Sequence, residues 1–218
     1  MNLAIFDLDD TLLQGDSDSS WGFFISSKGY ADGYAKKNEY FRQEYLFGRL
    51  DINEYVAQVA QIFNNIPPAK LEELFSEYIE QIIIPMIKPK GLELIKSHKA
   101  KGDHTMIITA TNELVASRVC PLFKVDTWFG TKLEVTPQGV LTGKILGIPT
   151  FQKGKVEHIK QWLDKHSQYS LKNCWFYSDS INDFPLLAEV GYPVAVDPDK
   201  ELAATAAKNN WKTIQLTF

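Results

Sequence analysis

Five side chains in this sequence have the types and spacing of a reactive site. Asp7 and Asp9 stand two apart in the stretch LAIFDLDDTLL, Asp179 and Asp183 stand four apart far along the chain, and Lys155 lies between the two pairs. Residues i and i+2 share a side of an extended strand, so Asp7 and Asp9 can face one site roughly 6–7 Å apart. Carboxylates this close, at the end of an apolar run, repel one another and stay ionised only beside a cation or a set of donors. Three or more of them with one lysine suit a hard cation. Magnesium takes oxygen ligands and keeps several waters, so Asp7, Asp179 and Asp183 are enough for its shell. A phosphate beside that metal needs further neutralisation. Lys155 gives a point charge, and the Thr109 hydroxyl with nearby backbone N–H groups gives hydrogen bonds. A carboxylate held against such an electrophile can attack phosphorus to form an aspartyl-phosphate. A second carboxyl two residues on can protonate the leaving alcohol and then deprotonate water.

Taken singly, each group has an ordinary reading. A lone DxD pair is usually two solvated acids after a strand. Thr109 is a plain β-branched strand residue, Lys155 a solvated lysine at a helix start with Lys153 as its rival, and Asp179 and Asp183 a turn acid and a helix cap. Their joint occurrence, in order and on the right elements, favours chemistry.

The elements follow from periodicity. Leu3-Ala4-Ile5-Phe6 runs straight into Asp7 and reads as a strand buried on both faces. From Trp21 to about Pro85 the pattern turns helical. Trp21, Phe24 and Ile25 form one stripe, stopped by Gly29. Asp32 is the expected cap of a second helix carrying Tyr34, Phe41, Tyr45 and Leu46. Asp51 caps a third with Ile52, Tyr55, Val56, Val59, Ile62 and Phe63, and Pro67-Pro68 opens a fourth. Four helices with short joints make a small inserted bundle. Beyond it, a helix over 91–100 precedes a strand at His104–Thr109, and a helix over 113–119 precedes a short strand over 127–131. A hairpin follows, with arms 132–136 and 140–146 around the turn Pro137-Gln138-Gly139. A helix opens at Gly154, then come a strand over 174–177, a helix over 182–190, a strand over 193–196, a helix over 200–208 and a strand over 213–216. Strands alternating with helices give right-handed crossovers and a parallel sheet. The expected fold is α/β: a Rossmann-like core, residues 1–14 and 87–218, with helices on both faces, plus a helical cap over 15–86. Ligands of such sheets bind at the carboxyl ends of the strands, where Asp7, Asp9, Thr109, Asp179 and Asp183 all fall.

Composition narrows the functional classes. The 218 residues carry 23 basic and 27 acidic side chains, a net charge of −4. With no basic run, nucleic acid is not an expected partner. No apolar stretch approaches the roughly 18 residues of a membrane span, and no signal peptide is read at the N-terminus, so a cytoplasmic location is expected. Cys120 and Cys174 sit in apolar surroundings and read as reduced core residues. The arginines are few: Arg42, Arg49 and Arg118. The oligomeric state is not legible.

Four stretches resemble the motifs of the haloacid dehalogenase (HAD) superfamily: Phe6-Asp7-Leu8-Asp9-Asp10-Thr11-Leu12, then Ile107-Ile108-Thr109-Ala110-Thr111-Asn112, then Gly154-Lys155, then Tyr177-Ser178-Asp179-Ser180-Ile181-Asn182-Asp183. Helices inserted after the first motif resemble the C1 cap of the phosphoserine-phosphatase-like branch, subfamily IB. The resemblance implies an Mg²⁺-dependent phosphatase acting on a small phosphorylated metabolite. In it Asp7 is the nucleophile and a metal ligand. Asp9 is the acid/base, with its backbone carbonyl on the metal. Thr109, Ala110, Lys155 and Asn182 hold the phosphoryl group, and Asp179 and Asp183 complete the metal site. The second acid, Asp9, favours a phosphatase over a dehalogenase. A phosphoryl transferase, or a non-catalytic phosphometabolite-binding protein, remain the alternatives. Ser178 departs from the glycine usual before the fourth-motif aspartate. In the third cap helix Val59 stands where phosphoserine phosphatases carry an arginine, which counts against phosphoserine. An amine-bearing ester such as histidinol phosphate or a phosphoethanolamine-like compound fits better, with Trp21, Phe24, Tyr45 and the acids Asp16 or Asp18 as its cap contacts.

Overall fold

A computed structural model describes residues 2–217, apart from the side chain of Leu46, whose expected place on the apolar face of its helix therefore lies outside the described residues. Its strands are β1 (Leu3–Phe6), β2 (His104–Asn112), β3 (Thr127–Thr131), β4 (Leu133–Val135), β5 (Leu141–Ile145), β6 (Cys174–Ser178), β7 (Tyr192–Val196) and β8 (Lys212–Ile214). Six of them form one parallel sheet in the order β3-β2-β1-β6-β7-β8. The four fully buried residues of β1 lie at its centre. Their side chains alternate between two cores, as a strand of period two requires. Ala4 and Phe6 belong to one core and Leu3 and Ile5 to the other.

Helices α1 (Ser17–Ser27), α2 (Tyr34–Leu46), α3 (Ile52–Asn64), α4 (Pro68–Tyr78) and α5 (Ile84–Met86) all fall between β1 and α6 (Pro89–Ala100). Further on come α7 (Glu113–Val119), α8 (Lys153–Asp164), α9 (Phe184–Leu187) and α10 (Lys200–Lys208). Ile95 of α6 and Val115 of α7 cover one face of the sheet. Ile159 of α8, Leu186 of α9 and Leu202 of α10 cover the other.

The two chain segments joining α1–α5 to the sheet run side by side. Leu13 pairs antiparallel with Ile87, Gln14 N–H donates to Met86 O at 2.7 Å, and Lys88 N–H donates to Leu12 O at 2.9 Å. In the inserted layer Trp21 is the central packing residue, 1% exposed and stacked on Phe75 at 4.2 Å between ring centroids. The tip of the β4–β5 hairpin reaches this layer too. Asn64 Nδ2 of α3 donates to Leu141 O at 2.9 Å, and Leu141 N–H donates back to Asn64 Oδ1 at 3.1 Å.

Three local expectations are corrected. Asp32 does not cap α2. Gly33 precedes the helix with φ 71°, a left-handed conformation suited to glycine, and no side chain caps it. The first helix begins at Ser17 with Asp16 as N-cap, four residues before Trp21, because the Asp16 carboxylate accepts from Ser19 N–H at 2.7 Å. The helix expected over 182–190 is a 3₁₀ turn, Ile181–Asp183, followed by the short α9.

Truncating Trp21 to alanine removes the stacked partner of Phe75 and Phe63 from a closed layer. Trp21→Ala is expected to lower the unfolding free energy by about 3–5 kcal/mol, measured by urea titration; a loss below 1 kcal/mol would contradict this packing.

Candidate active site

Strand β1 delivers Asp7 to the carboxyl edge of the sheet, where the residue is 6% exposed. Lys155 arrives from the first turn of α8, its Nζ donating to Asp7 Oδ1 at 2.7 Å and to Asp183 Oδ2 at 2.8 Å. The helix start explains how it gets there. A Cβ on Gly154 would lie 1.9 Å from the Pro149 carbonyl oxygen, so only glycine lets the chain turn into α8 at this point. Lys153, the rival, is exposed, whereas Lys155 is buried. Burial works against the lysine's charge, but Asp183 and Asp7 outweigh it and hold its pKa above the ordinary value. Ser178, the residue in place of the usual glycine, is buried and donates to Asp183 Oδ2 at 2.7 Å.

Asp9 is held by three donors: Ser17 N–H at the start of α1 (2.6 Å), Thr111 Oγ1 (2.6 Å) and Thr109 Oγ1 (3.2 Å). Asp179, half-buried at the end of β6, accepts from Thr11 Oγ1 at 2.9 Å, and its own N–H donates to Thr11 Oγ1 at 3.0 Å. Below Thr109 and Ala110 lies a buried threonine pair. Thr131 Oγ1 donates to Ala110 O at 2.8 Å, and Thr150 Oγ1 donates to Thr109 O.

The acids carry unresolved negative charge. Burial is the largest influence on Asp7 and pushes its carboxyl up. Lys155 pulls it back, Asp183 and Asp9 push again, and it settles at about 7. Burial followed by Asp7 and Asp10 raises Asp179 well above the carboxylate range. Among the described residues no three acids, histidines or cysteines converge as a ready-made cation cage. Lys155 bridges Asp7 and Asp183 instead. The donor set nevertheless fits a hard cation. One oxygen each of Asp7, Asp179 and Asp183 is engaged by a lysine or hydroxyl, and the other accepts no hydrogen bond among the described residues. Three spare carboxylate oxygens in a site with excess negative charge are what a divalent ion takes.

A cavity of about 500 Å³ opens above these groups, between the sheet edge and α1–α3. Asp7, Asp9, Asp179, Thr109 and Ala110 line it, whereas Lys155, Asp183 and Asn182 do not. Asn182 sits beside it as a tie between layers. Its Nδ2 donates to Tyr45 O of α2 at 3.0 Å, and its Oδ1 accepts from Gln152 Nε2 at 3.1 Å. The cavity walls are acidic. Besides Asp7, Asp9, Asp10 and Asp179, four more acids line it: Asp16, Asp18, Glu39 and Asp199. Among the described residues Arg42 is the one cationic side chain there. Asp18, on the first turn of α1, is buried. Its Oδ1 accepts from Asn112 Nδ2 at 2.7 Å, and its Oδ2 has no hydrogen-bond partner among the described residues. Of the aromatics expected to meet a ligand, Tyr45 lines the cavity; Trp21 and Phe24 are packed in the helical layer. Tyr55 and Phe41 line it instead.

Sequence reasoning named Thr11 and Thr111 only as parts of a motif and passed over Ser17, Thr131 and Thr150. An i+2 spacing from Asp9 to Thr11 and from Thr109 to Thr111 was the available signal for the first two.

A family model described as haloacid dehalogenase-like hydrolase matches residues 4–188. The chain belongs to this family. It is 38% identical to a histidinol-phosphatase from Neisseria meningitidis serogroup C, over 98% of each chain. It is 29% identical to a phosphoserine phosphatase from Mycobacterium tuberculosis, covering 96% of this chain and 69% of that one. Among solved structures, a protein of unknown function from Bordetella pertussis Tohama I superposes with a TM-score of 0.89 at 32% identity, over 99% of this chain and 98% of that one. A phosphoserine phosphatase solved with its substrate superposes with a TM-score of 0.72 at 19% identity, over 98% of this chain and 92% of that one, a likeness of fold.

Removing one partner from a buried ion pair leaves an uncompensated charge and costs about 3–5 kcal/mol. Lys155→Met is expected to lose stability on that scale. Lys153→Met, on the same turn but exposed, is expected to stay within about 0.5 kcal/mol of the parent. Denaturant unfolding of the two variants side by side checks the contrast; equal losses would contradict it.

Proposed function

We propose that this protein is an Mg²⁺-dependent phosphatase of a small metabolite whose alcohol part carries positive charge, with histidinol phosphate as the leading substrate. The observation that carries the substrate reading is the acidic cavity, in which the buried Asp18 keeps an unpartnered oxygen. A buried polar atom without a partner is rare and costs stability unless function fills it. An ammonium or imidazolium of the substrate supplies both the charge and the hydrogen bond. The 38% identity to the Neisseria histidinol-phosphatase supports the same reading.

In this proposal Asp7 attacks phosphorus through Oδ1, the oxygen beside Lys155, leaving its spare oxygen for the cation, while the bond from phosphorus to the leaving alkoxide oxygen breaks. Asp9 gives its proton to that alkoxide. It then takes a proton from water as the water attacks the aspartyl-phosphate, releasing inorganic phosphate and restoring Asp7. Ser17 N–H, Thr109 and Thr111 aim the Asp9 carboxyl for both transfers. Lys155, the Thr109 hydroxyl and the Ala110 backbone offset the phosphoryl charge. Asp7, Asp179, Asp183 and the Asp9 carbonyl would hold magnesium, which supplies positive charge beside the phosphoryl oxygens. Asn182 steadies the phosphate side by tying Gln152 to α2. Residues 15–86 act as the cap over the core of 1–14 and 87–218, turning near Gly15 and residues 85–89 to admit the metabolite. The setting is cytoplasmic.

Arg42 favours a second reading. As the cavity's one cation, it is the group available for a substrate carboxylate, as in phosphoserine.

Purified protein is expected to release phosphate from histidinol phosphate only with Mg²⁺. EDTA and Asp7→Asn should each abolish turnover, with circular dichroism of the variant unchanged. Turnover by Asp7→Asn at the parent rate would refute the nucleophile. A preference for phosphoserine, lost in Arg42→Ala, would favour the second reading.

Asp18→Asn keeps the acceptor for Asn112 and removes the charge. It is expected to lower the kcat/KM ratio of histidinol phosphate to glycerol phosphate by about tenfold or more, the scale of a hydrogen bond to a charged group. An unchanged ratio would remove Asp18 from substrate recognition.

A further inference from the structure

Among the described residues two lysines are buried, Lys155 and Lys88. The first belongs to the site already described. The second stands where the chain returns from α5 to α6, outside all four sequence motifs, and the reaction as described does not use it. Lys88 is 2% exposed. Its Nζ donates to the backbone carbonyl of Asp10 at 2.5 Å and to Asp197 Oδ2 at 2.9 Å.

Both partners are unusual backbone positions. Asp10 has φ 52° and Asp197 has φ 41°, left-handed conformations that non-glycine residues seldom adopt without outside support. Asp10 is the link between Asp9 and Thr11. Its N–H donates to Gly15 O at 3.0 Å, where the chain leaves the core, so the turn is pinned at both ends. On one side of it the Asp9 carboxyl must stay between Ser17 and Thr111. On the other, Thr11 Oγ1 carries Asp179. A rotation of the Asp9–Asp10 or Asp10–Thr11 peptide moves one or both. Asp197 anchors the other end of the bridge. Its carboxylate also accepts from Leu216 N–H and Thr217 N–H, each at 3.1 Å, and from Thr217 Oγ1 at 2.7 Å. The lysine is thereby braced against the C-terminal segment and the end of β7. Lys88 N–H donates to Leu12 O, so one residue grips the loop through both backbone and side chain.

We propose that Lys88 is a positioning residue for the reaction: by holding the Asp10 carbonyl from the returning chain segment, it fixes the Asp9 carboxyl and, through Thr11, the Asp179 carboxyl. It touches neither substrate nor metal. The kinetic part of this inference rests on the proposed phosphatase reading; the positional part does not.

The test compares Lys88→Met, which keeps the apolar stem, and Lys88→Arg, which keeps a cation and donors, with the parent full-length protein. Two measurements are made at a temperature where circular dichroism shows all three folded. The first is hydrogen exchange by mass spectrometry over residues 8–14. Lys88→Met is expected to exchange at least tenfold faster there while β2 and β6 keep their parent rates, and Lys88→Arg is expected to restore most of the protection. The second is steady-state kinetics on whichever phosphate ester the parent hydrolyses. In Lys88→Met kcat is expected to fall at least tenfold with KM within threefold, and Lys88→Arg to recover part of kcat. Unchanged exchange over 8–14 overturns the proposal whether or not the parent is a phosphatase. Faster exchange with kcat within twofold of the parent overturns the catalytic part and leaves Lys88 a structural staple. If Lys88→Met does not fold, Lys88→Gln takes its place with the same two readouts. A parent without phosphatase activity overturns the functional reading and leaves the exchange measurement to decide the positional one.

Discussion

The site depends on one buried positive charge. Lys155 is enclosed between Asp7 and Asp183, which come from opposite ends of the chain. Two ionised carboxylates at the edge of a buried sheet would otherwise drive each other toward protonation, and a protonated Asp7 is a poor nucleophile. The lysine does not cancel the excess. It leaves Asp7 raised to about 7, and burial with the neighbouring acids Asp7 and Asp10 raises Asp179 well above the ordinary value. That remaining negative charge is what would give the proposed divalent cation its affinity. The geometry of Lys155 rests in turn on a small backbone fact, the absence of a side chain on Gly154 against the Pro149 carbonyl. A bulkier residue there would push the start of α8 away and with it the ammonium group.

Much of the fold was legible because its signals are local. The run Leu3–Phe6 could only be a strand buried on both faces, and β2, β6 and β7 announced themselves in the same way. Gly29, Asp51 and Pro67-Pro68 mark helix ends through their own backbone chemistry, and the structure uses all three. The placement of Asp7, Asp9, Thr109, Asp179 and Asp183 at one sheet edge followed from parallel topology, since every strand then ends on the same side. What escaped were hydrogen bonds between groups far apart in sequence. Thr11 to Asp179 spans 168 residues and Thr111 to Asp9 spans 102. Such pairs leave no periodicity to read, because nothing in either local stretch depends on the other until the sheet forms. The aromatic residues misled for a related reason. Helical spacing puts Trp21 and Tyr55 on apolar faces alike, and only packing decides that the first fills the layer while the second reaches the cavity.

The helical insertion does more than cover the site. Its first backbone N–H, at Ser17, is one of the donors on Asp9, and the Asn182 amide ties the third-from-last strand's turn to α2. The N-terminal end of a helix carries partial positive charge and favours an anion. Asp9, the proposed acid/base, is therefore held partly by the sheet, through Thr109 and Thr111, and partly by the insertion. A displacement of α1 alters the environment of Asp9 without touching Asp7. Under the proposed mechanism, closure of the layer over a substrate and the aim of the proton donor would be linked through the Ser17 N–H on Asp9.

Charge balance gives the arrangement its selectivity. An empty cavity with eight acids and a single arginine is a poor host for a bare phosphate, since like charges in a partly desolvated space repel strongly. At the sheet end Lys155 meets part of the deficit by pairing with Asp7 and Asp183, and the proposed divalent ion would meet more. At the far end, among the described residues, Asp18 has a buried oxygen without a partner and no lysine is within the lining, and the proposed substrate would bring the compensating charge. In that reading a neutral alcohol would leave the Asp18 carboxylate without a counter-charge, and a cationic one would neutralise it. In the proposed reading, the walls that disfavour phosphate alone would favour an ester that carries a cation at the end away from its phosphate.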